Sequence, residues 1–156
     1  MRKCLVILLS VVLCSLVACS NSNNDMVSEK PPEAMIKIGD QLYETILGSN
    51  CWSGNGKATC IDRAGAKELL QDEEPIKVKA GEEIAFIMDY EPQPNKFHVL
   101  QMSENDEIKI NVRDNLFSAP YQEGIYYYSY GVWWMDEEKE NVSNGDAFYN
   151  FVIEVE

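Results

Sequence analysis

Apolar residues recur at every second position through most of this chain, and that period leaves little choice of fold. Ile108, Ile110 and Val112 alternate with Lys109, Asn111 and Arg113, the pattern of a strand with one face on a core. Ile84, Phe86, Met88 and Tyr90 share one face of another strand, and Ile76 and Val78 alternate with lysines. Further strands are predicted over Met35 to Ile38, Leu42 to Trp52, Phe97 to Met102 and Gly124 to about Trp134. A last one carries Tyr149, Phe151, Ile153 and Val155 on one face. Only Ala64 to Gln71 reads as a helix, and it is short. Parallel sheets need crossover helices, so about seven to eight such strands predict an all-β, two-sheet antiparallel sandwich.

The end of the chain reads G-x-Y-x-Y from Gly124 to Tyr128, then a turn, then Tyr149-x-Phe151-x-Ile153-x-Val155. This resembles the closing strands of bacterial immunoglobulin-like domains. The resemblance implies an immunoglobulin-like sandwich and carries no activity with it. Gly48-Ser49-Asn50-Cys51-Trp52 together with Cys60-Ile61-Asp62 resembles a segment of small surface lipoproteins of Gram-positive bacteria, which implies no particular chemistry.

The beginning reads as an address. Arg2 and Lys3 precede an apolar run from Cys4 to Ala18. A charged start followed by a short apolar run is a secretory signal, and the run is shorter than the roughly 20 residues that span a bilayer. It ends Leu16-Val17-Ala18-Cys19, which resembles the lipobox of bacterial lipoproteins. The resemblance implies a diacylglyceryl group, with palmitate as an acyl chain, on the thiol of Cys19, and cleavage that makes Cys19 the mature amino terminus. Two or more chains give stable anchoring where one gives only marginal binding. The expected organisation is a signal peptide over 1–18, a lipidated terminus and flexible tether over 19–33, and one β-sandwich domain over 34–156. The tether is predicted because SNSNNDMVSEKPPE buries too little to offset chain ordering. The expected location is the extracytoplasmic face of the cell membrane, with the membrane itself as a partner through the lipid.

The chain carries a formal charge of −13; without Arg2 and Lys3, 11 basic residues face 26 acidic ones, a charge of −15. Such a surface repels nucleic acid. Beyond Cys19, the expected mature chain has the even pair Cys51 and Cys60, separated by WSGNGKAT. Gly54-Asn55-Gly56 is a turn signal, so the pair should close a hairpin as a disulfide, contributing roughly 2.7 kcal/mol by loop entropy.

The chemistry-bearing residues are few. His98 is the one histidine, and no nucleophile motif, phosphate loop or metalloprotease motif is present. No enzyme and no cofactor are expected. A blue-copper centre needs two histidines; a softer metal site would have to use His98 with Met102 and Met88. The run from Asp136 to Asp146 offers oxygen ligands without the spacing of a calcium loop.

The aromatic residues stand out more. Tyr126, Tyr127, Tyr128, Tyr130, Trp133 and Trp134 crowd one strand, whose neighbours point to opposite faces. One of Trp133 and Trp134 is therefore expected outside, in a binding surface that includes at least one of Tyr127 and Trp52. The function these features suggest is a non-catalytic binding or accessory domain for an unidentified protein or small-molecule ligand. The alternative is an extracytoplasmic metal-handling protein.

Overall fold

The computed structural model describes residue 26 and residues 28–156. The expected signal segment and Cys19 lie outside the described residues. Eleven strands and one helical turn follow: β1 (Met35–Ile38), β2 (Gln41–Glu44), β3 (Ile46–Gly54), β4 (Lys57–Ile61), α1 (Ala66–Leu69), β5 (Ile76–Val78), β6 (Glu83–Ile87), β7 (Lys96–Met102), β8 (Glu107–Ile110), β9 (Leu116–Ser118), β10 (Gly124–Met135) and β11 (Ser143–Val155). Among the described residues, no helix is long and apolar enough to cross a membrane.

Two sheets face each other. The smaller has the order β2-β1-β6-β9; the larger runs β4-β3-β11-β10-β7-β8. The two-sheet sandwich is as the alternation predicts, with eleven strands where seven or eight are expected. In the smaller sheet β1, β6 and β9 lie side by side, opposite β11, β10, β7 and β8 of the larger. β3 and β4 extend the larger sheet beyond β11. One pairing departs from the antiparallel rule: β5 runs parallel to β11, Ile76 opposite Ile153 and Val78 opposite Val155.

Tyrosines dominate the core. Tyr128, Tyr130 and Tyr149 are completely buried. Tyr130 stacks on Phe86 at 4.0 Å between ring centres, and Tyr128 on Phe151 at 4.8 Å. A buried hydroxyl must find a partner, and each does so at the rim. Tyr128 donates to Gln101 Oε1 at 2.9 Å, Tyr149 to the Pro32 carbonyl at 2.7 Å, and Tyr130 more loosely to Asn115 Oδ1 at 3.4 Å. Tyr126, at the start of β10, donates to the Gln122 carbonyl four residues upstream at 3.0 Å. That bond ties the start of β10 to the loop that leads into it.

Part of the polar segment ahead of β1 contacts the sandwich, at Met26 and at Ser28 and Glu29. Met26 is buried, and its N–H donates to the Ser53 carbonyl at 2.9 Å. Trp52 Nε1 donates to the Ser28 carbonyl at 2.8 Å, and Asn55 Nδ2 to Glu29 Oε1 at 2.8 Å. Composition misses this because backbone carbonyls, not apolar side chains, supply most of the attachment.

The buried phenols make alkaline stability predictable. Burial pushes Tyr130 up to about 12 and also raises Tyr128 and Tyr149. The unfolded chain releases these protons near pH 10 while the folded chain retains them. The folded state then binds more protons, so stability is expected to fall as pH rises above 10. In a spectrophotometric titration, three of the eight tyrosines should ionise only as the fold is lost. Ionisation of all eight in one step near pH 10, with the fold intact, would contradict the packing.

Candidate functional site

β10 sorts its side chains by alternation. Tyr126, Tyr128, Tyr130, Val132 and Trp134 are buried between the sheets; Tyr127, Ser129 and Trp133 are half-buried on the outer side. The expected split between the two adjacent tryptophans is present, with Trp134 inward. Its partner in the core is Trp52, edge-on at 4.8 Å, and Tyr90 lies 5.9 Å from both rings. Trp52 is 2% exposed and Trp134 3%. The expected place of Trp52 on an outer surface is therefore corrected: β3 points Asn50, Trp52 and Gly54 inward. Each indole N–H reaches a covering segment, Trp52 the Ser28 carbonyl and Trp134 the Pro92 carbonyl at 2.6 Å.

The outer side of the larger sheet is divided in two. Over one half, Ala66 and Leu70 of the α1 region pack on Tyr127, Leu100, Met102, Val152 and Ile46. Over the other, Trp133 meets Phe148 edge-on at 5.5 Å. Both rings lean across Gly131, where a Cβ would come within 2.8 Å of Phe148 and 2.9 Å of Trp133. Lys96 Nζ lies 5.9 Å from the Trp133 ring centre, within cation–π range. Asp146 stands opposite Trp133 in the ladder, and its Oδ1 accepts the Cys51 N–H at 3.2 Å. Burial raises the Asp146 carboxyl, and the Cys51 N–H opposes the rise. Tyr127 and Trp133 are six positions apart on one strand, roughly 20 Å, and Tyr127 lies under the helical turn. The outward tryptophan, Trp133, therefore forms no patch with Tyr127 or with the buried Trp52.

Cys51 and Cys60 are bonded, S–S 2.06 Å. Their Cα atoms are 4.1 Å apart, slightly below the usual disulfide range, because they are direct cross-strand partners at the close spacing of a non-hydrogen-bonded pair. The turn between them has Asn55 at φ 52° and Gly56 at φ 71°, the two left-handed residues of a type I′ hairpin.

The softer metal set does not come together. His98 is half-buried on the outer side opposite Gly131, Met102 is buried beneath the α1 region, and Met88 packs against the core between the sheets. In the acidic loop, Asp136 Oδ1 accepts the N–H groups of Glu138 at 2.9 Å and Lys139 at 3.0 Å, so that oxygen closes the turn. Among the described residues, no group of three or more His, Cys, Asp or Glu is placed to hold a metal ion.

A second surface escapes the alternation argument. Ile108 is 44% exposed although Ile110 and Val112 pack on the core. It lines an open groove of about 630 Å³ between the 103–106 turn and the 120–124 loop, together with Ile125 and Tyr121. The sequence signal was a single tyrosine in the polar stretch Pro120-Tyr121-Gln122-Glu123. No family model, curated protein or solved structure matches this chain.

The two tryptophans should respond differently to truncation. Trp134→Ala leaves a large core cavity and is expected to cost about 3–5 kcal/mol. Trp133→Ala forfeits chiefly one edge-on aromatic contact, about 1 kcal/mol. Urea unfolding of both variants checks this, and equal losses would mean that the outer side is packed like the core.

Proposed function

We propose that this protein is a lipid-anchored, extracytoplasmic lipoprotein serving as a non-catalytic binding or accessory domain at the cell surface. The observation that carries the reading is Cys19, standing where a charged start and a short apolar run give way to polar sequence. The Cys51–Cys60 bond supports it, because such bonds persist in oxidising compartments outside the cytoplasm.

Docking of the chain at Met26 sharpens the proposal. Only six residues lie between Cys19 and Met26, a reach of at most about 25 Å. A lipid on Cys19 would therefore keep the Trp52–Trp134 end of the sandwich close to the bilayer. β10 runs from that end at Met135 to the opposite end at Gly124, roughly 40 Å away. The 103–106 and 120–124 loops would then face outward, where a partner can reach them.

Cys19→Ser removes the thiol that would take the lipid. The variant is expected to leave the membrane fraction and appear in the medium or the soluble extract, still folded by its thermal transition. A Cys19→Ser protein that stays with the membrane would overturn the anchor.

A further inference from the structure

Three of the nine most exposed large apolar side chains among the described residues, Ile108, Tyr121 and Ile125, line the same groove at the end of the sandwich opposite Met26. Its origin is a mismatch between the sheets. The smaller sheet stops at the three-residue strand β9, and Ile108 on β8 is left largely uncovered. Tyr121 is 85% exposed yet is held in place. Its ring lies on Gly81, where a Cβ would approach within 2.7 Å, and the Gly81 N–H donates to the Pro120 carbonyl at 3.2 Å. The loop is clamped on both sides of Tyr121: the Ala119 N–H donates to the Glu82 carbonyl at 2.8 Å, and Tyr126 holds Gln122. The facing wall is also built. Ser103 N–H donates to the Asp106 carbonyl at 2.8 Å, and Asp106 Oδ1 accepts the Glu107 N–H at 3.0 Å. An exposed aromatic ring on a pre-organised loop loses little freedom when a partner covers it.

The charge of the rim selects the partner. Glu104, Asp106 and Glu123 line the groove, and no lysine or arginine does. Lys67 approaches only the Glu104 carbonyl, at 3.4 Å. The chain as a whole is at −13, so a second copy would bring like charge to this rim.

We propose that this groove docks a basic, extended segment of a partner protein. Its lysine or arginine side chains meet the three carboxylates, and an apolar side chain between them packs on Ile108, Ile125 and Tyr121. The outward orientation of the groove rests on the lipid-anchor reading; the groove and its charge do not.

The test uses the full chain in detergent micelles with a fluorescent nonapeptide of alternating lysine and leucine, followed by anisotropy. The same peptide with glutamate in place of lysine is the control. The basic peptide is expected to bind, with affinity falling as salt rises, and the acidic one not to bind. The combined variant Glu104→Gln, Asp106→Asn, Glu123→Gln should weaken binding about tenfold or more, and Tyr121→Ala likewise. The combined variant Glu137→Gln, Glu138→Gln, Glu140→Gln removes the same charge from the Asp136 loop and should change Kd by less than about twofold, since exposed charges beyond a Debye length are screened. Thermal transitions of all variants establish that they are folded. Equal weakening by both triple variants, or no effect of Tyr121→Ala, would reduce the attraction to diffuse charge and overturn the proposal, as would failure of the basic peptide to bind. A photo-crosslinking residue at position 121 on intact cells should capture a different protein; capture of a second copy of this chain would also overturn it. Cys19→Ser leaves the groove untouched, so failure of the anchor reading would not alter these binding results.

Discussion

The pairing of β10 with β11 is the constraint on which the other elements depend. It aligns Gly124 with Val155 at one end and Trp134 with Gly145 at the other. Tyr128 and Tyr130 on one strand, with Tyr149 and Phe151 on the other, form the centre of the core. β7 attaches along one side, and β3 and β5 attach along the other. The smaller sheet closes the core through Ile36, Ile84, Phe86 and Phe117. Aromatic rings bury large areas, but each phenol also requires a polar partner. Those partners, Gln101, Asn115 and the Pro32 carbonyl, fix where the surrounding segments must end.

The periodic strands were legible in the sequence because one face is apolar. β6, β7, β10 and β11 each show that face, and the tight Asn55-Gly56 hairpin has its own chemical signature. β4 was legible only through that turn and the cysteine pair, and β9 was not legible. All five residues of β4 are exposed and β9 is three residues long, so neither has a period to detect. Trp52 lies in a strand whose alternation is interrupted by a register shift opposite Ala147 and Tyr149. Its face was therefore set by a partner strand that local sequence does not reveal. Ile108 shows the converse limit. Its alternation is regular, but whether an apolar face is covered depends on how far the other sheet extends.

The two ends of the sandwich differ in kind. At one, two indoles and Tyr90 fill the space, and the N-terminal segment and the Pro92 loop close over them through carbonyl acceptors. At the other, the loops are pinned at their bases and leave apolar side chains in contact with solvent. Closure at one end and exposure at the other mean that little would have to reorganise at the second end to admit a partner.

The disulfide has a consequence for how β4 is held. A strand normally finds its alignment because slipping by one residue would turn its buried face to water. β4 buries no side chain and lies at the open edge of the larger sheet, so no such penalty acts on it. The rung from Cys51 to Cys60 adds a covalent constraint to the alignment that the Asn55-Gly56 turn sets, and helps keep this edge from peeling away to pair with another chain.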